Sequence, residues 1–191
     1  MSQYYFLVAS LPTLQLDTPP AMSFPEFLSL CHEHMSPADL EAVKAARLSE
    51  FDEAFDRCAT AESASLLIRW YRWEITLRNA LAKLRASKLG WDPHPYLHEI
   101  KEHLGLEALA QEAMGAADPW EAGKLLVQAR WSYLDELEVG HFFDTGKLIV
   151  YSLKLQLLLA QAAMTRERGE AELNRVRGVM REEIHAGDVY E

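Results

Sequence analysis

An all-α fold is predicted by three features: helix-starting signals recur along the chain, apolar residues repeat at steps of three and four, and the one strand-like segment has no partner to pair with. Residues 1–191 are therefore read as a single-domain helical bundle of seven or eight helices with a short extended N-terminus. The extended part is residues 4–9, whose aromatic and β-branched side chains suit a strand. Ser36-Pro37-Ala38-Asp39 then supplies a cap, a Pro at the first helical position and an acid in the first turn. No Gly or Pro interrupts the chain from there to Thr60, so the helix is expected to continue that far.

Residues 62–88 also lack Gly and Pro. Leu66, Trp70, Trp73, Leu77, Leu81 and Leu84 recur there at helical spacing, and Gly90 stands where a C-terminal cap belongs. Gly90-Trp91-Asp92-Pro93-His94-Pro95 is a loop, because two prolines remove donors and bar the helical region before them; residues 90–95 are a candidate hinge. Short helices are expected over residues 96–104 and 106–114, separated by Gly105. Asp118-Pro119 opens a longer one through Leu137. A turn over residues 140–146 leads to an apolar helix over 147–168, and a charged helix follows Gly169 to about His185. Trp70, Leu77, Leu81, Ile149, Leu153 and Leu157 are the expected core.

Composition narrows the function classes. The chain has 29 Asp and Glu against 19 Lys and Arg, a net charge of -10, and 49% hydrophobic residues, which excludes disordered and collagen-like classes. The charge is uneven, since residues 61–90 hold six bases and two acids whereas residues 91–146 hold eleven acids and three bases. An acidic body crossed by one basic helix disfavours nucleic acid, whose binding depends on neutralising phosphates, and favours a basic protein partner or plain solubility. Cys31 and Cys58 are too few to staple a chain of this size and are expected as reduced thiols in the cytoplasm. The N-terminus lacks the basic and apolar regions of a signal peptide. Residues 148–164 are largely apolar but include Lys154, Gln156 and Gln161, and a charge at the bilayer centre costs about 3 kcal/mol, so a buried helix is expected rather than a span.

No catalytic motif emerges. The nine glycines include no G-x-G pair, and Gly146-Lys147 is followed by Leu148 rather than Ser or Thr, which excludes the phosphate-loop motifs. In Cys31-His32-Glu33-His34, adjacent helical side chains point about 100° apart and cannot close on one metal. Between His94 and His103, the run His98-Glu99-Ile100-Lys101-Glu102-His103 places the second His at i+5 rather than i+4, off the face a zinc helix requires. Three His and two Glu within ten residues nevertheless keep a metal-dependent helical enzyme as an alternative function. No metal or cofactor is expected. In the basic helix, Trp70 and Trp73 fit either a core stripe or a partner surface. The flanking Arg69, Arg72, Arg78 and Arg85 are the candidate partner-binding residues.

Three segments carry a family resemblance: Tyr4-Tyr5-Phe6-Leu7-Val8-Ala9-Ser10-Leu11-Pro12, Arg78-Asn79-Ala80-Leu81, and Gly140-His141-Phe142-Phe143-Asp144 with the run from Leu148 to Leu155. In these the chain resembles a bacterial family of unknown function encoded in V/A-type ATPase operons. Through it, the chain resembles a divergent, short form of the helical socket of V-type ATPases, which links the central shaft to the membrane ring. The resemblance implies a non-enzymatic adaptor coupling that shaft to that ring in a rotary ATPase. It implies as partners the shaft and ring subunits, with no nucleic acid. The expected location is cytoplasmic, at the cytoplasmic face of the inner membrane through protein contacts only. Besides the metal enzyme, a regulatory homodimer is the other alternative.

Overall fold

The computed structural model describes residues 4–48, 65–100 and 105–164. Of these, 72% are helical, with no strand among them. Seven α-helices follow in chain order: α1 (Tyr5–Ser10), α2 (Phe24–His34), α3 (Pro37–Ala45), α4 (Leu66–Leu89), α5 (Glu107–Gly115), α6 (Pro119–Glu138) and α7 (Thr145–Ala163). The helix starts obey local chemistry. Ser23 and Glu26 form a reciprocal capping box at α2, while Ser36, Ser65, Asp118 and Asp144 accept the free N–H groups of α3, α4, α6 and α7. Gly90 ends α4 with φ of 69°, a left-handed conformation that costs glycine least.

Four expectations need correction. Residues 4–9 are not extended: α1 is a helix, because Leu7 can be buried while Tyr4 bonds outward to Asp39 and Ser36. The helix beginning at Pro37 stops at Ala45 although no Gly or Pro forces it to. Its end is held from outside, Tyr71 of α4 donating to the Ala45 carbonyl and Gln156 of α7 to the Ala46 carbonyl. Residues 49–60 lie outside the described part. The helix expected over 96–104 is absent in its described portion, where a 3-10 turn (His94–Tyr96) leads into extended chain at Leu97. There the Asn79 side chain donates to the His98 carbonyl at 2.8 Å and accepts from its N–H at 3.0 Å, replacing the helical hydrogen bonds. Finally, α7 begins at Thr145, enclosing Gly146, and ends at Ala163. The helix expected after Gly169 lies outside the described residues.

The helices pack in sequence-adjacent pairs. α4 lies on α5, α5 on α6, α6 on α7, and α7 closes back on α2 and α3. The core is continuous, joining Phe27 and Cys31 of α2, Val43 of α3, Trp70, Ile75 and Leu77 of α4, Ala110 of α5, Leu134 and Leu137 of α6, and Leu148, Leu153 and Leu155 of α7. All six residues expected in the core are buried. Trp70 and Trp73 are buried with them, stacked with Tyr133 of α6 at ring separations of 4.9–6.4 Å, so the core alternative holds for this pair.

A polar path runs through this core. Glu74, 1% exposed in mid-α4, accepts from Arg130 Nε at 2.9 Å and Nη2 at 2.8 Å, and from Arg78 Nε at 2.8 Å. Arg78 extends the path to the Leu48 carbonyl at 3.1 Å, and the Leu48 N–H donates to Gln156 of α7 at 3.2 Å. Removing one member of a buried ion pair leaves a charge without compensation, whereas replacing the pair by apolar groups is often neutral. Arg130→Met is therefore expected to lower unfolding free energy by about 3 kcal/mol. The double variant Glu74→Leu with Arg130→Met should recover much of the loss, as read by urea denaturation. Leu153→Ala, which opens a cavity in the same core, should cost about 2 to 5 kcal/mol.

Candidate functional site

The four candidate arginines do not converge. At about 100° per residue, Arg69 and Arg72 flank one side of the α4 core stripe while Arg78 and Arg85 flank the other. Arg78 is turned inward onto Glu74 and Leu48 and is occupied by the core. Arg72 is half-buried, and only Arg69 and Arg85 are exposed. The Arg69 backbone carbonyl takes a hydrogen bond from the Tyr133 hydroxyl. The basic helix thus serves packing along most of its length.

The histidine clusters are dispersed. Cys31 is fully buried, with burial pushing its thiol up to about 12, while His32 and His34, which flank it on α2, are exposed. His94 stands in the 3-10 turn and His98 in extended chain, so the two do not share a helix face, and Glu99 is exposed beside them. Glu102 and His103 lie outside the described residues. Among the described residues, no group of three His, Cys, Asp or Glu side chains is placed to hold a metal ion.

What the chain does bring together is aromatic surface. Tyr5 and Phe6 of α1, and Phe142 and Phe143 of the α6–α7 turn, are exposed, Phe6 and Phe142 to 71% and 70%. The Tyr4 N–H donates to the Phe143 carbonyl, the Tyr5 and Phe143 rings lie 4.7 Å apart, and Phe6 meets the His34 ring edge-on at 5.3 Å. Val139 adds an 81% exposed side chain. The turn is held by His141, whose Nδ1 lies 2.7 Å from Asp144 Oδ2, and by Gly146, where an added Cβ would run into the same ring. Two of the sequence segments that carry the family resemblance, about 135 residues apart in the chain, therefore build one surface.

A second apolar group, Leu89, Trp91, Tyr96 and Trp120, is also exposed. The Glu74–Arg130 and Arg69–Tyr133 bonds make α4 and α6 antiparallel, and Lys88 reaches the Met114 carbonyl just before α6. Leu89, Trp91 and Trp120 thus belong to the N-terminal end of α6, whereas Val139, Phe142 and Phe143 follow its C-terminal end. A helix of 20 residues separates these ends by about 30 Å. Contiguous exposed apolar patches, unlike apolar residues scattered singly, are the kind of surface on which proteins interact. Composition alone does not reveal them, since the same residue types make the core; the signal available was that Phe142-Phe143 and Trp91 sit in turns, where apolar residues have no helix face to hide on.

Between the ends of α6 and α7 lies an ion cluster that sequence reasoning also missed. Glu138 accepts from both Lys147 and Lys154, and Lys154 reaches Asp135 at 2.6 Å with its ammonium 5.2 Å from the Trp131 ring centre. Burial pushes the Glu138 carboxyl upward, but hydrogen bonds from the two lysines outweigh it and hold the group below its ordinary 4.5. A carboxyl with a lowered folded value adds stability above its unfolded value, lost as pH falls through the folded one. The melting temperature of Glu138→Gln should therefore lie below that of the native chain at pH 7, with the difference shrinking as pH falls below the ordinary carboxyl value of 4.5.

A family model described as "Protein of unknown function (DUF2764)" matches residues 1–64, the part that holds α1, α2 and α3. No curated protein and no solved structure matches the chain. The described residues include no helix long and apolar enough to cross a membrane. The fold is all-α, and the N-terminal third is similar to a family whose function is unknown.

Proposed function

We propose that the protein is a non-enzymatic helical adaptor that holds two partner proteins, one at each end of α6, and that these are the central shaft and the membrane ring of a V/A-type rotary ATPase. One observation carries the adaptor reading: exposed aromatic groups stand at both ends of a stiff antiparallel helix pair rather than in one patch. Interfaces take their energy from a few aromatic and Arg anchors that lose contact with water, and a rigid body keeps two such anchors at a fixed separation. The choice of partner rests on the family resemblance in residues 4–12, 78–81 and 140–155. Arg69 and Arg85, exposed beside the core stripe, supply secondary polar contacts in this reading. Self-association into a regulatory homodimer is opposed by the charge of -10 on each copy, a repulsion that grows as salt is lowered.

The test is affinity capture of the tagged chain from its native host with gentle membrane solubilisation. Shaft and ring subunits are expected in the eluate, and their complete absence overturns the ATPase assignment. Phe142→Ser with Phe143→Ser should release one partner, and Trp91→Ser with Trp120→Ser the other, each weakening its contact by about 2 kcal/mol or more while far-ultraviolet circular dichroism stays unchanged. If both double variants retain both partners, the two-ended adaptor is wrong.

A further inference from the structure

The two aromatic ends of the molecule differ in charge. Around Leu89, Trp91 and Trp120 both signs occur: Lys88 precedes Leu89, Asp118 precedes Pro119, and Lys124 pairs with Glu121 while its ammonium lies 5.5 Å from the Trp120 ring centre. The end built by α1 and the α6–α7 turn has one sign only. Residues 1–43 contain no Lys or Arg, and neither do residues 131–146, yet these two stretches hold nine carboxylates. The cations that follow the turn, Lys147 and Lys154 of α7, are already matched to Glu138 and Asp135.

Phe6, Phe142 and Phe143 are the exposed anchors of this end, the Phe143 ring 4.7 Å from that of Tyr5 and the Phe6 ring edge-on to His34 at 5.3 Å. Carboxylates neighbour each of them in the chain. Glu33 precedes His34 in the last turn of α2, and Glu136 lies in the last turn of α6, just before the turn that displays Phe142. Both are exposed, and neither forms an ion pair with any described residue. An apolar centre with charged groups at its rim takes its affinity from the rings and its choice of partner from the charges. A rim of carboxylates opposes an anionic lipid surface, and it opposes a second copy of this chain, which carries the same rim. No strand stands among the described residues, so no sheet edge is offered to an extended peptide. The occupant these features fit is a helix that presents an apolar stripe between Lys or Arg side chains.

We propose that this end of the molecule docks a basic amphipathic helix of a partner protein, with its apolar stripe on Phe6, Phe142 and Phe143 and its cationic side chains over Glu33 and Glu136. The proposal rests on the adaptor reading for the presence of a partner at this end, and it fixes the chemistry of that partner's contact surface. The aromatic rings hold the helix, and the carboxylates speed its encounter and exclude acidic competitors.

The experiment titrates the full chain with three synthetic peptides and follows backbone amide shifts by nuclear magnetic resonance. The peptides are a helical Leu–Lys amphipath, the same helix with Glu in place of Lys, and an oligolysine with no apolar face. The Leu–Lys helix is expected to shift Phe6, His34, Val139, Phe142 and Phe143 and to bind at least about tenfold more tightly than either control, since like charges repel and an exposed ion pair without an apolar anchor is weak. Raising the ionic strength from about 0.01 M to about 0.15 M, which shortens the screening length from about 30 Å to about 8 Å, should weaken it severalfold. Phe142→Ser with Phe143→Ser should cost about tenfold in affinity. Glu33→Gln with Glu136→Gln should weaken binding severalfold and also reduce its salt dependence, a change that loss of structure alone does not produce. Equal binding of either control, shifts confined to other surfaces such as Trp91 and Trp120, or unchanged affinity and salt dependence in the Gln pair would each overturn the proposal. If the Ser pair fails to fold, the three probes and the Gln pair still decide it. A chain that captures shaft and ring subunits but does not bind the Leu–Lys helix keeps the adaptor and loses this proposal. A chain that binds the helix at this surface but captures neither subunit keeps the docking surface and loses the ATPase assignment.

Discussion

Burial of one carboxylate, Glu74, sets the terms for the rest of this fold. It stands at the middle of α4 among Trp70, Trp73 and Leu77, where an ion without partners is not tolerated, and it draws Arg130 across from α6 and Arg78 back along its own helix. Because Arg130 engages both carboxylate oxygens, the bond specifies the angle and register of α6 on α4 as well as their closeness. Apolar packing alone tolerates sliding by a turn; a bidentate pair does not. Through Arg78, Leu48 and Gln156 the same constraint reaches α7.

Other polar side chains within apolar helices do similar work on the backbone. Asn79 binds both polar backbone groups of His98 and keeps the chain extended as it leaves the 3-10 turn. Tyr71 and Gln156 take up the carbonyls of Ala45 and Ala46, where α3 ends. At the end of α3, side-chain donors from α4 and α7 meet backbone carbonyls that helix termination has left without helical partners, so that end is held by neighbours rather than by a capping residue. The result is a body whose connections are fastened to its core, which is the mechanical property an adaptor with two docking ends requires.

Charge is arranged on the same logic. The excess of bases in α4 is met inside the molecule by Glu74 and presented outside by Arg69, Lys83, Arg85 and Lys88. The lysines of α7 are matched against Glu138 and Asp135 at the end of α6. The net negative charge of the whole chain repels polyanions and other copies of itself. Partner contact in the adaptor reading is then left to the exposed aromatic residues at the two ends, whose attraction does not depend on net charge.

The amino-acid sequence by itself determined the helical class, the starts of α3 and α6, the glycine-capped end of α4 and the core stripe from Trp70 to Leu81, because caps, prolines and three-four spacing act within a few residues of one another. It misjudged residues 4–9, where aromatic and β-branched composition favoured a strand but no second strand stands among the described residues and the burial of Leu7 favoured a helix. The end of α3 and the extended chain after Tyr96 were hidden for a related reason: both depend on hydrogen bonds from residues far along the chain. The pairing of Glu74 with Arg130, the meeting of Tyr5 with Phe143 and the division of the four arginines between half-buried and exposed members were decided only by tertiary structure, because each depends on groups whose distance in space has no counterpart in the local pattern.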